Sequence, residues 1–540
     1  MKDISSTGSF VDFTLENFIY VDKTVYIPQL VKLKRVFISR PRRFGKSLTL
    51  DTIATLFETG VEPYFKGTWI YDKWTEPTYH VLRLNFLNFD KNTLEKFNNK
   101  LNSKITEFAE LNQVTTYKEK DEAEDSIDHL LEQLRLEGRQ IVILIDEYDC
   151  QMTANINNET LYKQFQEKIK SFYANIKDKF AIKFLGITGV TRLKDVSIFS
   201  VGSDINDITN ASAYSQMIGF TRDEIKKYYI DYLKLASSYE NNCSVDDVTD
   251  TQLESMLDMM AQNYDGYCFD EDYEKKVFST WSVNKFFQTM IEKKKVQFGE
   301  YWYDNGGLPS ILVNYLKTHE LNIFEYLDKD KFLKVSSDDF KNPTALTTIN
   351  QNVLMCQTGY LTLRSDLNKT STVALGIPNG EIYKALNRLL ANNIFKGNTD
   401  ITDDYGRSLL EVGTVDDIIN LFNSALNSVS YDNYPIVSES SVQNMLKLYL
   451  LGAHQKVLSE VHEAKGRADL VVNTDNRRIV FEFKYAKNET EAKSKLHDAV
   501  EQIKTRGYGN IVPNKTELLR IAAVFNADPK VRAFTEYQEV

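Results

Sequence analysis

The chain has few of the residues that build disulfide or zinc scaffolds. Its four cysteines, Cys150, Cys243, Cys268 and Cys356, lie far apart with no CxxC pair, and its six histidines are equally scattered. Neither a disulfide framework nor a Cys/His metal site is indicated, and buried thiols are expected. Long apolar runs are also missing, since the longest purely aliphatic stretch, Ile141–Ile145, is far too short to span a bilayer. The polar start Met1-Lys-Asp-Ile-Ser-Ser has no apolar signal core, so a cytoplasmic protein without a membrane partner is expected. Tandem repeats and low-complexity segments are absent. Positive charge is in deficit: a net charge of -11 argues against indiscriminate coating of nucleic acid, which requires Lys and Arg to neutralise phosphates. The deficit is uneven, because Ser441–Val540 carries 16 Lys and Arg against 13 Asp and Glu. Any such contact would fall to local patches, with Arg467, Lys487, Lys493, Lys495, Lys504 and Arg506 as candidates.

What is present points first to the C-terminal region. Strand-forming runs at Asp469–Asn473 and Arg478–Lys484 flank Thr474-Asp475-Asn476-Arg477, which reads as a hairpin loop. If Asn473 faces Arg478, Asp469 faces Glu482, and Lys484 shares their side of the sheet because side chains alternate. Two carboxylates can hold magnesium or manganese, and a nearby ammonium can stabilise phosphate charge. The same spacing also suits an ordinary half-exposed hairpin with a surface ion pair. Glu460, placed after a helix-like Val442–Leu458, offers a third carboxylate, and Gln502 lies on a helix expected over Ala492–Gly507 ahead of Tyr508.

This order of helix, Glu, Gly466-Arg-Ala-Asp469, Glu482-Phe-Lys484 and Gln502-Ile-Lys-Thr-Arg-Gly-Tyr508 resembles the PD-(D/E)XK nuclease superfamily over about Ser441–Val540. The resemblance implies metal ligation by Asp469 and Glu482 with Glu460 in support, a catalytic Lys484 and an accessory Gln502.

The second signal is at the front. Val36-Phe-Ile-Ser39 reads as a buried strand running into Arg40-Pro-Arg-Arg-Phe-Gly45-Lys46-Ser47, and Leu48–Thr59 as a helix. Backbone amides at such a helix start cradle phosphate, Lys46 reaches the terminal phosphates and Ser47 can ligate magnesium. Arg40 departs from the usual pattern, which has glycine there. Ile141-Val-Ile-Leu-Ile145 ends in Asp146, to hold magnesium through water, and Glu147, to orient the hydrolytic water. The apolar strand Ala181–Ile187 delivers Thr188 as a sensor of the terminal phosphate. Three strands with polar C-terminal ends fit the ligand-binding edge of an open α/β sheet.

Over about Asp12–Leu316 the chain resembles the AAA-ATPase-like proteins, many of which end in a small nuclease-like domain. The matching residues are Tyr20-Val-Asp-Lys-Thr24, Ser39-Arg-Pro-Arg-Arg-Phe-Gly-Lys-Ser47, Leu144-Ile-Asp-Glu-Tyr-Asp149, Ile187-Thr-Gly-Val190, Ser197-Ile-Phe-Ser200, Gly219-Phe-Thr221 and Tyr264-Asp-Gly-Tyr267. The resemblance implies ATP as cofactor, with Gly45, Lys46, Ser47, Asp146, Glu147 and Thr188 around it. Arg42 and Arg43 would add phosphate contacts, and Arg192 is either a finger or a structural arginine.

The fold class expected is α/β: a P-loop domain with a parallel sheet over residues 1–220 and a helical lid over 221–341. A small mixed module, winged-helix-like or simply packing, would occupy 342–435 and end in the linker Tyr431-Asp-Asn-Tyr-Pro435. An α/β nuclease-like domain would fill 436–540. A capping box at Thr221-Arg-Asp-Glu224 opens the helical run Ile225–Ser238. Two functions follow: an ATPase coupled to a metal-dependent nuclease acting on DNA or RNA, or an ATP-dependent switch whose last domain binds nucleic acid or protein without cutting. Homo-oligomerisation is left open.

Overall fold

The computed structural model describes residues 1–176, 179–193, 205–304, 310–316, 319, 323–343, 345–369, 371–395, 404–453, 455–463, 466–508 and 517–540. Of the sequence signals, Ser197–Ser200 lies outside the described residues. The chain divides into two compact units, Met1–His319 with Phe332–Ile382, and Glu320–Lys331 with Tyr383–Val540. This division is coarser than the four segments expected from the sequence.

The first unit is built on a sheet of β1 (Arg35–Ser39), β2 (His80–Asn85), β3 (Ile141–Asp146), β4 (Ile182–Gly189) and β5 (Asn206–Asp207), in spatial order β2-β3-β4-β1-β5. Every pairing is parallel. Parallel sheets are covered on both faces, which is why β3 is a continuous aliphatic run with all its residues buried. A parallel arrangement also brings all strand C-termini to one edge. Helix α1 (Lys46–Thr59) leaves that edge from β1, starting two residues before the expected Leu48. Amphipathic helices Leu94–Leu111, Ala123–Leu136 and Glu159–Ile176 bury one apolar stripe each, including Phe97 and Leu101, Ile127 and Leu130, and Phe165 and Ile169.

Thr221 and Glu224 form the expected capping box on helix Arg222–Tyr228, and the run continues as Ile230–Asn241. Together with Asp250–Tyr264 and Thr280–Lys293 these helices enclose a second core containing Tyr229, Leu257, Met260, Phe286 and Phe287. A small antiparallel sheet follows, with β6 (Leu333–Ser336), β7 (Thr362–Leu363) and β8 (Thr372–Gly376) in the order β6-β8-β7. Helices Gln351–Gln357 and Gly380–Ile394 flank the β7-β8 hairpin in the expected sequence.

The second unit carries β9 (Lys456–Glu463), β10 (Gly466–Asn473), β11 (Arg477–Ala486), β12 (Glu517–Asn526) and β13 (Ala533–Glu539), in spatial order β13-β12-β11-β10-β9. Among the described residues of this sheet only β11 and β12 pair in parallel. Helix α2 is Glu439–Gly452 and α3 is Glu489–Arg506. The helix expected through Leu458 therefore stops at Gly452, because Lys456 onward pairs with β10 and that ladder overrides the local helical period. Tyr431–Pro435, expected as an interdomain linker, lies inside this unit between Val415–Asn427 and α2, with the Arg532 guanidinium 3.4 Å from the Tyr431 ring centre. Among the described residues no helix is long and apolar enough to cross a membrane.

Candidate functional site

At the C-terminal edge of the parallel sheet, the loop from β1 to α1 is shaped by Gly45, whose φ of 102° suits glycine. Arg43 is also left-handed, at φ 70°. Its carbonyl is held by donors at the start of helix Thr280–Lys293, Thr280 Oγ1 at 2.9 Å and the Trp281 amide at 3.4 Å. Arg40 stands where glycine is usual because its φ is not positive and its side chain leaves the loop. Arg40 is 1% exposed, and its guanidinium donates to the Ser39 and Thr209 carbonyls and lies 4.2 Å from the Phe269 ring centre.

Lys46 is buried, donates to the carbonyls of Arg40 at 3.0 Å and Pro41 at 3.3 Å, and sits 3.7 Å from Glu147 Oε1. Because β4 lies between β1 and β3, Thr188 reaches the acid at the end of β3. Asp146 thus accepts from Ser47 Oγ at 2.6 Å, from Thr188 Oγ1 and from the Glu147 amide at 3.0 Å. Burial holds Glu147 above the usual carboxylate range.

Arg42, Arg43, Gly45, Lys46, Ser47 and Glu147 line a cavity of about 360 Å³, together with the apolar Ile19, Tyr26, Leu30, Met217 and Ile218. The lining thus combines donors suited to phosphate with apolar side chains suited to a base. The Arg43 guanidinium donates to the Tyr301 and Trp302 carbonyls and lies over Trp281, whereas Arg192 pairs with Asp207. A hydroxyl and a carboxylate in contact, Ser47 and Asp146, are hard oxygen donors that fit magnesium.

In the second unit β10 and β11 pair in the expected register, with Asn473 facing Arg478 and Leu470 facing Phe481. At Asp469 a side chain replaces the ladder: its Oδ2 accepts the Phe483 amide at 2.8 Å. Glu482 is fully buried, its Oε1 accepts from Lys484 Nζ at 2.8 Å, and its Oε2 has no hydrogen-bond partner among the described residues. Burial raises Asp469 to about 6, and burial reinforced by Asp469 raises Glu482 to about 7. Burial disfavours the Lys484 charge, but Glu482, Glu439 and Asp469 outweigh it and hold Lys484 above its ordinary range. A buried carboxylate oxygen without a donor, beside a second carboxylate, fits a divalent cation.

Glu460 stands on β9 rather than at the end of a helix, at φ 55°, and pairs with Arg467. Among the described residues no group of three or more His, Cys, Asp or Glu could hold a metal ion. Gln502 and Arg506 both donate to the Tyr508 hydroxyl, at 3.2 and 2.9 Å. Of the basic candidates, Lys493 and Lys495 pair with Glu489 and Glu491 one helical turn away.

Two residues of this site escaped the sequence reading. Glu439 Oε1 accepts from Lys484 Nζ at 3.4 Å, and Gln443 Nε2 donates to Glu460 Oε1 at 3.0 Å and to the Asp469 carbonyl at 2.5 Å. Both lie on the first turns of α2, four residues apart and therefore on one face. The available signal was Ser438, the N-cap that fixes where this helix begins.

Residues 5–199 match the family model described as a predicted AAA-ATPase, and residues 437–535 match that of the PD-(D/E)XK nuclease superfamily. An uncharacterised protein from the vnfD 5′ region of Azotobacter chroococcum mcd 1 is 26% identical over 535 residues, covering 95% of this chain and 94% of its own. Among solved structures, Cdc6p from Pyrobaculum aerophilum is 10% identical with a TM-score of 0.22, over 68% of this chain and 91% of its own. Aeropyrum pernix Orc1 in complex with DNA is 9% identical with a TM-score of 0.27, over 71% and 97%. The chain thus carries an AAA-ATPase-like domain over residues 5–199 and a PD-(D/E)XK nuclease-superfamily domain over residues 437–535.

Proposed function

We propose that the protein binds and hydrolyses ATP in the first unit, and that nucleotide state governs a divalent-metal-dependent phosphodiester cleavage by the second. The observation that carries the cleavage half is the buried Glu482 Oε2, without a donor and next to Asp469 and a charged Lys484. Two carboxylates and a lysine at a strand pair are expensive to bury and gain nothing for stability that apolar residues would not supply. A bound divalent cation would lower the pKa of attacking water and share the charge of the phosphate. Asp469 and Glu482 would hold that cation, with Glu460 in reserve beside Arg467, while Lys484 stabilises the extra negative charge of the attacked phosphate. For ATP, Lys46 would meet the terminal phosphates, Ser47 and Asp146 the magnesium, Glu147 the attacking water and Thr188 the terminal phosphate. Arg42 and the backbone at Gly45 would add phosphate contacts, and Arg43 would act by holding the loop.

Metal-dependent cleavage of DNA and RNA should be measured for wild type, Asp469→Ala and Lys484→Ala, with and without ATP. Cleavage in wild type that both variants lose supports the proposal. Absence of cleavage on every substrate, with nucleotide-dependent binding of nucleic acid or protein intact, would instead favour a switch that binds without cutting. Cleavage at the same rate with Lys46→Ala and without ATP would remove the coupling and leave the nuclease.

A further inference from the structure

Behind the phosphate loop lies a second, small cavity of about 40 Å³, lined among others by Ser39, Arg40, Arg192, Thr209, Asn210 and Phe269. Arg40 has one guanidinium nitrogen satisfied, Nη1, which donates to the Ser39 and Thr209 carbonyls. Its Nε and Nη2 are buried and have no hydrogen-bond partner among the described residues. The acid that acts on Arg40 is Asp207, but both carboxylate oxygens of Asp207 are engaged: Oδ1 accepts the Thr209 amide at 2.9 Å and Oδ2 pairs with Arg192. Asp207 therefore gives no hydrogen bond to Arg40 Nε or Nη2 among the described residues. A buried charge with free donors is costly unless something pairs with it. The cavity exceeds the ~10–15 Å³ that one water needs.

We propose that this cavity binds one small monovalent anion of halide size, held by Arg40 Nε and Nη2 with the Asn210 side chain beside them. The anion accepts from the two buried donors of Arg40 that no described residue meets. Its effect reaches the nucleotide site through one residue, because the Arg40 carbonyl accepts from Lys46 Nζ. Anion occupancy fixes the residue that opens the phosphate loop.

The test is thermal unfolding of the full chain as chloride replaces gluconate at constant ionic strength, repeated with bromide. Wild type should show a saturable rise of about 2 °C in Tm in both halides, as expected for a ligand that binds only the folded state. Lys46→Ala should keep that rise, and Arg40→Met should lose it. Should Arg40→Met not fold, Asn210→Leu, which fills the cavity from its partly exposed side, should lose the rise instead. A response in wild type no different from gluconate overturns the proposal. So does a response that Lys46→Ala abolishes and Arg40→Met retains, which would put the anion in the phosphate loop. Neither result touches the ATP reading, which is tested by nucleotide binding to wild type and Lys46→Ala.

Discussion

Replacing Glu381 by Gln should stabilise the protein at alkaline pH and leave it unchanged in acid. Glu381 is 1% exposed; its Oε2 accepts from Ser282 Oγ at 2.7 Å and its Oε1 from the Trp302 amide at 2.8 Å. Burial raises its carboxyl from the usual 4.5 to about 8, against the lowering effect of those two donors. In the unfolded chain the group loses its proton near its ordinary value, so between about pH 4.5 and 8 the folded state holds a proton that the unfolded state has released. Stability from this group is therefore fully present in acid and falls with rising pH, by about 1.4 kcal/mol per pH unit and by no more than about 5 kcal/mol in all. Glutamine has the same shape, can accept from the Trp302 amide and can donate to Ser282 Oγ, so it keeps both contacts and removes the titration. Thermal unfolding from pH 5 to 9 should give matching Tm values at pH 5 and a lead of at least about 4 °C for Glu381→Gln at pH 9. Parallel curves for the two proteins would refute the reasoning.

Other outcomes follow from single contacts. Glu147→Gln should leave ATP binding within about threefold of wild type and reduce turnover by at least about 100-fold, measured by nucleotide binding and phosphate release, since it removes a base from beside the cavity. Gly189→Ala should cost about 1–3 kcal/mol in denaturant unfolding, because its β-carbon would run into the Tyr148 ring in a packed interior. Thr221→Ala should cost about 1 kcal/mol by losing the capping box on helix Arg222–Tyr228, read by the same unfolding assay.

Much of this was legible in the sequence because the signals are local. A β-hairpin register follows from its loop, so the facing of Asn473 and Arg478 could be read directly. Strand–loop–helix order likewise placed Lys46 and Ser47 at the junction of loop and helix, within two residues of the helix start at Lys46. What stayed hidden depends on contacts distant in sequence. The destination of the Arg40 side chain is decided by Thr209 and Phe269, and the strand identity of Lys456–Glu463 by β10. Glu439 reaches Lys484 across 45 positions, a distance at which no periodicity carries information.

The phosphate loop has a consequence for where this protein can be divided. The family match ends at residue 199, yet the groups that hold the loop come later: Thr209 and Phe269 for Arg40, Thr280 and Trp281 for the Arg43 carbonyl, and the carbonyls of Tyr301 and Trp302 for the Arg43 guanidinium. A fragment cut at that boundary would keep every nucleotide-binding motif and lose the frame that shapes them. The smallest autonomous ATP-binding piece should therefore extend beyond Trp302, which makes the helices after residue 221 as much a part of the nucleotide-binding body as the sheet.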